Sequence, residues 1–568
     1  MEPLNICQKA IPIGIENFET MIKGDYYYID KTLLIKDLID HKGYVNLFTR
    51  PRRFGKSLNM SMLQYYFENT KKEKAPLFDH LKISTCSEKY LHHQNAYPVI
   101  MMSLKGVEGE SFEGAMTKLI DEISREYDRH GFLLKHLNGE KKIYFQNQID
   151  KVVEKDTKGE NVYHNFGNSL KFLSDILERY YQKKVIIIID EYDVPLEKAY
   201  FNGYYQQMVN FLRSYFNAAL KTNDSLDFAI ITGCLRASKE SIFTGINNFH
   251  VLNITSDAYG EYFGFTESEV SKALQDFNQQ SRYDEAKHWY NGYLFGKTTV
   301  YNPWSFLNYL FDVTVGKKEY PVGHWANSSS NSIVRELIDE ADDEIRLEIE
   351  NLMNTGTITT PIKEDMVYAE IKNSPQNIWN FLFFTGYLKK VAEYFDGQHI
   401  YYKLSLPNKE VAGIYETHIM AWLNDSVQKT DLQDLFKALL ESDSESFQEI
   451  LSEFLMDSIS FNDYAENFYH GFLTATLRPM KRYTVKSNRE IGNGRGDLFI
   501  RPVNILKPAI IIEVKVAKDI DHMNALSEIA LLQIKEKNYE DELRREGYRK
   551  FIHYGIVFFK KTCLVVKG

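Results

Sequence analysis

The residues best placed to do chemistry in the first half of the chain are Gly55, Lys56 and Ser57. They follow an apolar run, Tyr44–Phe48, that predicts a short buried strand, and they lead into residues 57–67, where apolar side chains recur at helical three- and four-residue steps. In such a strand–loop–helix unit the glycine lets the backbone approach a phosphate, the lysine supplies charge to its oxygens, and the serine hydroxyl reaches Mg²⁺. An ordinary loop is the alternative for the triplet alone, but its flanking elements favour a site for ATP and Mg²⁺.

The part of this loop that precedes the triplet is irregular. The usual spacing of a phosphate-binding loop places a glycine where Arg50 stands, and Pro51 then fixes one backbone dihedral angle. The loop must therefore reach its phosphate with a stiffer backbone and with additional positive charge from Arg52 and Arg53. We predict that Arg52, Arg53 and Phe54 bind the nucleotide together with the triplet.

A second group of candidate residues ends the apolar run Val185–Ile189. Five β-branched residues in a row predict a strand buried on both faces, as in a parallel sheet covered by helices. Asp190 and Glu191 follow at its carboxyl end, where ligands bind in open α/β sheets. Together with the Lys56 loop, this arrangement predicts that Asp190 holds Mg²⁺, directly or through water, and that Glu191 positions or deprotonates the attacking water.

A further apolar run, Leu226–Ile231, predicts another strand of the same sheet. Thr232 ends this run and Arg236 follows shortly after it. Thr232 could orient the attacking water, and Arg236 could stabilise charge that develops on the γ-phosphate. The alternative for Arg236 is a surface salt bridge.

The C-terminal part of the chain contains a second candidate site. Glu513 and Lys515 lie two residues apart in the apolar run 509–515, so a strand would present both on one face. Two charges on the face of such a strand either meet solvent or build a site. Asp497 would open the preceding strand and meet them across a hairpin, so that Asp497 and Glu513 share Mg²⁺ while Lys515 stabilises the nucleophile or the transition-state charge.

Two predicted helices flank this candidate site. The upstream helix, residues 464–474, carries Glu466, and the downstream helix, residues 525–539, carries Gln533. Residues 477–502 hold seven basic residues and two acidic ones, which favours a surface for a phosphate backbone. A solvated hairpin is the alternative for this basic stretch.

The composition is that of an ordinary globular protein. The chain has 568 residues, of which 44% are hydrophobic and 26% charged, so we expect several domains. The net charge of −10 attracts no polyanion globally, and a nucleic-acid site must be local. The four cysteines are scattered, and the sequence lacks a signal peptide or a long apolar run, so we expect a cytoplasmic protein without membrane partners.

These motifs together resemble those of bacterial AAA-ATPase-like proteins that carry a C-terminal PD-(D/E)XK nuclease-superfamily domain. The matching stretches run nearly the full length of the chain: Ile11–Phe18, Tyr28–Thr32, Arg50–Ser57, Ile189–Asp193, Thr232–Arg236, Trp325–Ser328, Leu406–Asn408, Phe468–Phe472, Gly494–Asp497 and Ile512–Lys515. The resemblance implies that Arg50 is normal in this loop. It also implies that Glu466 and Gln533 correspond to the helix carboxylate and helix glutamine often found beside the nuclease metal.

The expected fold class is therefore α/β and multidomain. We predict a P-loop ATPase domain with a parallel sheet over residues 1–263, a helical lid over 264–345, a connecting helical or winged region over 346–430, and a PD-(D/E)XK nuclease-like α/β domain over 431–568.

The expected function is ATP hydrolysis coupled to a Mg²⁺-dependent nuclease that acts on nucleic acid, with DNA as the favoured substrate. The alternative is a nucleotide-driven switch or scaffold whose nuclease-like domain binds nucleic acid or protein without cleaving it. The presence of Asp497, Glu513 and Lys515 together favours the nuclease. An arginine acting in trans would require a homo-oligomer, which the sequence leaves open.

Overall fold

A computed structural model of the chain describes residues 9–235, 242–243, 249–325, 336–338, 343–364, 368–417, 432–458, 466–487, 497–537 and 539–568. The chain forms two compact units. The first comprises residues 1–331 and 359–411, and the second comprises residues 332–358 and 412–568. Among the described residues, every helix is too short or too polar to cross a bilayer.

The first unit is built around a parallel sheet, with smaller sheets beside it. Its strands are β1 Val45–Thr49, β2 Val99–Ser103, β3 Glu154–Lys155, β4 Asn161–Val162, β5 Val185–Asp190, β6 Leu226–Gly233, β7 Phe249–Leu252, β8 Phe265–Thr266, β9 Tyr293–Phe295, β10 Thr298–Tyr301, β11 Ile358–Pro361, β12 Lys389–Phe395 and β13 Ile400–Ser405. The central sheet has the order β2-β5-β6-β1-β7, and all its pairs are parallel.

The helices of the first unit surround this sheet. They are α1 Phe18–Lys23, α2 Leu33–His41, α3 Lys56–Phe67, α4 Glu88–Leu91, α5 Phe112–Arg129, α6 Gly139–Ile149, α7 His164–Gly167, α8 Ser169–Tyr181, α9 Val194–Phe201, α10 Tyr205–Phe216, α11 Glu267–Asp276, α12 Tyr283–Tyr290 and α13 Pro303–Thr314. Both faces of the sheet are covered, and every residue of β1 and β5 is buried. The predicted parallel α/β sheet is confirmed.

The segment after the central sheet combines helices with strands. A capping box formed by Thr266 and Glu269 begins α11. The helices α11 to α13 share a core with Tyr301 and accompany a three-stranded antiparallel sheet of order β8-β10-β9. The sequence predicted helices alone here, because strands of two to four residues carry too few side chains to display an alternating pattern.

The second unit holds a mixed five-stranded sheet of order β14-β15-β16-β17-β18, in which only β16 and β17 are parallel. Its strands are β14 Tyr483–Ser487, β15 Asp497–Pro502, β16 Ala509–Val516, β17 Phe551–Phe559 and β18 Thr562–Lys567. Among the described residues, α15 Pro375–Phe384 belongs to the first unit. The second unit contributes α14 Asp343–Thr355, α16 Gln433–Glu441, α17 Ser444–Ser458, α18 Glu466–Leu477, α19 Met523–Glu536 and α20 Glu540–Arg545.

Helices cover the C-terminal sheet from opposite sides. Tyr469 of α18 stacks on Phe558, with ring centroids 4.4 Å apart. The neighbouring residue Val557 points to the other face, where it packs with Met523 of α19. The expected α/β character of the C-terminal domain is confirmed.

Candidate phosphate and metal sites

Three adjacent strands of the parallel sheet end at the same edge and bring the predicted nucleotide-binding residues together. Strand β6 lies between β1 and β5, with Thr49 opposite Gly233 and Ser103 of β2 opposite Asp190. The loop after β1 leads into α3, and Asp190 and Thr232 end the other two strands. The loop after β1 and Asp190, separated by more than 130 residues, therefore converge with Thr232 on one edge.

The predicted phosphate-binding loop has the conformation that its glycine allows. Gly55 caps the N-terminus of α3 with a φ of 79°. Residues other than glycine rarely adopt this left-handed backbone conformation. Lys56 is buried, and its Nζ donates to the carbonyl oxygens of Arg50 and Pro51, each at 3.0 Å. The ammonium group thus lies within the loop, beside the N-terminus of a helix, which is the position from which a phosphate is bound.

Arg50, which replaces the customary glycine, anchors the loop. It is fully buried, and its Nη1 donates to the carbonyl oxygens of Thr49, at 2.9 Å, and Leu252, at 2.6 Å. The Cζ atom of its guanidinium group lies 5.1 Å from the centroid of the Phe295 ring. Burial lowers the pKa of Arg50 to about 9. Arg50 therefore fixes the loop to the end of β7 and to the neighbouring small sheet.

The carboxylates at the end of β5 form a connected group with Thr232. The Thr232 hydroxyl donates to Asp190 Oδ1 at 2.5 Å and accepts a weak bond from the Glu191 backbone N–H at 3.4 Å. Both Asp190 and Thr232 are buried, whereas Glu191 is half-buried and has a φ of 54°. Burial raises the pKa of Glu191, although the nearby Lys56 charge opposes this effect.

A cavity of about 360 Å³ lies against this group. Its walls contain Lys56, Ser57 and Glu191 from the strand edge and Tyr28 from the N-terminal segment. The helix α13 contributes Pro303, Trp304 and Leu307 to the opposite wall. The sequence analysis did not single out the α13 residues, because an aromatic turn carries no phosphate-binding pattern.

The three loop residues before Gly55 also line this cavity, but each has a partner within the protein. Arg52 forms an ion pair with Glu197 of α9. The guanidinium of Arg53 lies 4.3 Å from the Trp304 ring centroid. Phe54 is fully buried, with its ring centroid 4.9 Å from that of Tyr293. The predicted Arg236 lies outside the described residues.

The predicted hairpin is present in the C-terminal sheet. Its register places Asp497 directly opposite Glu513. Glu513 is fully buried, and Lys515 Nζ donates to its Oε1 at 2.7 Å. The second carboxylate oxygen, Oε2, has no hydrogen-bond partner among the described residues. A buried carboxylate oxygen of this kind requires a cation or a proton donor.

The two helix residues that the resemblance implied lie in different surroundings. Gly555, which pairs with Glu513, faces Ser527 and Ala530 of α19, so α19 covers the Glu513 face. Gln533 lies one turn further along α19 and is half-buried. Glu466 begins α18 on the opposite face of the sheet. The side chains of Glu466 and Asp497 lie outside the described residues.

Cations are exposed near the edge strand β14. Arg478, Lys481, Arg482 and Lys486 are exposed there. Arg501 is instead buried, and its Nε pairs with Glu546 at 2.8 Å. Within the described ranges, no group of three or more His, Cys, Asp or Glu side chains has the arrangement of a metal cage.

Comparisons with known proteins place these sites in context. Residues 12–243 match the family described as predicted AAA-ATPase, and residues 464–568 match the PD-(D/E)XK nuclease superfamily. A curated relative from Azotobacter chroococcum mcd 1, named "Uncharacterized protein in vnfD 5'region", is 25% identical over 580 residues, covering 98% of this chain and 98% of the relative. The first match contains Lys56 and Glu191, and the second contains Asp497, Glu513 and Lys515.

Proposed function

The chain combines an AAA-ATPase-like domain with a PD-(D/E)XK nuclease-superfamily domain, as its motifs predicted, and from this premise we propose that it is an ATP-hydrolysing, Mg²⁺-dependent nuclease that acts on DNA. ATP binds at the loop after β1, and nucleic acid binds at the C-terminal sheet. Hydrolysis at the first site controls cleavage at the second.

The observation that carries the ATPase assignment is the convergence of Lys56, Asp190 and Glu191 on one edge of the sheet, beside a cavity. Lys56 exchanges its bonds with two loop carbonyls for bonds to the β- and γ-phosphates. Ser57 and Asp190 suit Mg²⁺, which would neutralise phosphate charge. Glu191, whose pKa is raised by burial, accepts the proton of the attacking water.

The observation that carries the nuclease assignment is the pairing of Asp497 with Glu513 beside Lys515. The Oε2 atom of the buried Glu513, which has no hydrogen-bond partner among the described residues, fits a cation. Mg²⁺ held by these two carboxylates would neutralise a scissile phosphate and activate water. Lys515 holds Glu513 through Oε1 and stabilises charge on the phosphate as it develops.

The outer segments have supporting roles in this proposal. Residues 264–345 act as a lid, because α13 forms a wall of the nucleotide cavity. Residues 346–430 connect the lid to the nuclease domain at 431–568. The exposed cations near β14 contact the nucleic-acid backbone. Arg236 stabilises the γ-phosphate in cis or in a homo-oligomer, and Gln533, on the helix that covers the Glu513 face, supports the nuclease site.

The ATP site is tested by Lys56→Ala. We expect ATP affinity to fall by roughly 30-fold or more, because removing one partner of a buried charge pair costs about 2–5 kcal/mol. Isothermal titration with ATP measures the change. Lys72→Ala, which removes an exposed lysine of the same unit, is the matched control. Unchanged ATP affinity in a folded Lys56→Ala protein would refute the assignment.

A further inference from the structure

Arg52 lies where a bound triphosphate would need positive charge. It lines the same cavity as Lys56 and Glu191. The thiol of Cys234 lies beside Lys56: its Sγ is 3.7 Å from Lys56 Nζ, and the charges of Lys56 and Arg52 both act on it. Burial nevertheless raises the pKa of Cys234 to about 11, so the thiol stays neutral and leaves both cations available to an anion.

The partner of Arg52 in the structure is Glu197, which lies one helical turn into α9. The Arg52 side chain is 22% exposed and the Glu197 side chain is 6% exposed, so the ion pair is largely shielded from water. Burial raises the pKa of Glu197, and the Arg52 charge opposes that effect. The Glu197 carboxylate is thus stabilised chiefly by Arg52, which also borders the cavity, with a smaller contribution from the charge of Lys198.

Carboxylate and phosphate are alternative partners for an arginine. The guanidinium group presents a planar fork of N–H donors that matches either anion. Arg53 is differently engaged, because its guanidinium lies on the face of the Trp304 ring. Of the two loop arginines, Arg52 is the one whose partner a phosphate would replace.

We propose that Arg52 is a phosphate-binding arginine supplied in cis, and that Glu197 is a positioning residue that competes with the triphosphate for it. This inference rests on the proposed ATP site and deepens it. When the β- and γ-phosphates bind, Arg52 transfers to them from Glu197. The energy required to separate the buried pair reduces the affinity for ATP. The affinity for a monophosphate is unaffected, because a monophosphate lacks the β- and γ-phosphates.

The test compares nucleotide affinities of the full chain. In Glu197→Gln, Arg52 is released from its competing charge, and we expect a non-hydrolysable ATP analogue to bind roughly tenfold more tightly, while AMP binds as in the wild type. Arg52→Gln should weaken binding of the ATP analogue, and adding Glu197→Gln to it should give no gain. If the ion pair is purely structural, Glu197→Gln should instead weaken binding of the ATP analogue, because breaking the pair would disorder the site.

A second buried pair provides the matched control. Arg129 and Glu126 have side-chain exposures of 27% and 6%, closely matching Arg52 and Glu197, but neither lines the cavity. Glu126→Gln should lower thermal stability without changing the ratio of ATP-analogue to AMP affinity. Should Glu197→Gln fail to fold, Glu197→Asp keeps the charge but shortens the reach, and we expect an intermediate gain in affinity.

The outcomes separate this inference from the proposed function. Suppose that the wild type binds the ATP analogue, that Lys56→Ala loses this binding, and that neither folded Glu197 variant gains affinity for the analogue. This result would overturn the role of Glu197 but leave the proposed ATP site intact. Absence of ATP binding by the wild type itself would overturn both.

Discussion

Glu191, the proposed catalytic base, has an unusual backbone conformation and an unusual environment. It follows a strand that is buried throughout, its φ of 54° is unusual for a non-glycine residue, and burial raises its pKa. Such a conformation costs free energy and persists only where surrounding structure imposes it. The carboxylate of Glu191 therefore has a higher affinity for a proton than that of an exposed glutamate, which suits its proposed role as a base.

The pH dependence of ATP hydrolysis should report this perturbation. A general base acts only when deprotonated, so the rate should be full above the pKa of Glu191 and fall as the pH decreases through it. Because that pKa is raised, the loss should begin at a higher pH than for an ordinary carboxylate. Steady-state ATPase assays across pH measure the profile, and a decline confined to the normal carboxylate range would contradict the assignment.

Glu191→Gln should abolish this limb of the profile together with most of the turnover. We expect kcat to fall by roughly 10²–10⁴-fold, the usual contribution of a positioned base, with ATP still bound. Rapid single-turnover hydrolysis and equilibrium binding measure the two effects. Hydrolysis at the wild-type rate would show that another group positions the water.

At the residue scale, the sequence predicts positions better than partners. Lys56, Asp190 and Glu513 stand in local patterns, and each lies where its pattern indicated. The pairing of Arg52 with Glu197 joins residues 145 positions apart, and the contact of Arg53 with Trp304 spans a still longer separation. Such contacts depend on tertiary packing, which leaves no periodic signal in one sequence.

Among the elements, the segment around α15 has an unexpected connection to the nucleotide loop. Gly386 follows α15 with a φ of 89°, and a Cβ atom built on it would lie 3.0 Å from Pro51 of the loop. Tyr368, which precedes α15, donates to Asp193 after β5 at 3.5 Å. No sequence motif marks this region, because its contribution is a packing contact.

Gly386→Ala should therefore impair the nucleotide site from a distance. Its left-handed backbone disfavours any side chain by about 1–3 kcal/mol, and the added methyl group also presses on Pro51. Gly397→Ala is the matched control, because Gly397 has a φ of 100° with open space around its Cβ position. We expect both variants to lose thermal stability but only Gly386→Ala to lose ATP affinity, and equal affinities would contradict the proposed contact.

Strands and helices were predictable to different degrees. The long buried strands β5 and β16 appear as continuous apolar runs, since both faces are covered. The short strands β8 to β10 were missed, and their sheet forms only through pairing across the chain. Long buried strands can therefore be predicted from the sequence, whereas strands of two to four residues cannot.

In the whole molecule, the chain leaves the first compact unit after residue 331, returns to it at residue 359 and leaves it again after residue 411. Residues 359–411 return to the unit that contains the phosphate-binding loop, after residues 332–358 have joined the second unit. Trp325 stacks on Tyr387, with ring centroids 4.6 Å apart, so this returning segment belongs to the core of the first unit. The chain between residues 332 and 411 thus connects the two proposed activities covalently.

This organisation predicts which fragments retain the ATP site. Residues 1–411 should bind ATP with nearly the affinity of the full chain, because they contain the whole first unit. Residues 1–331 lack Gly386 and Tyr387, expose the surfaces on which these residues pack, and should bind ATP weakly or precipitate. Equal ATP affinity of the two fragments in fluorescence titration would show that the returning segment is dispensable.

In the proposed function, nucleotide hydrolysis and nucleic-acid cleavage belong to one protein. The most direct measurement is cleavage of supercoiled and linear DNA with Mg²⁺, with and without ATP, comparing the wild type with Asp497→Ala and with Asp521→Ala, which removes an exposed aspartate of the same unit. We predict ATP-dependent cleavage by the wild type and by Asp521→Ala, and none by Asp497→Ala. A folded wild type that hydrolyses ATP but cuts neither DNA would contradict the account and favour a nucleotide-driven switch.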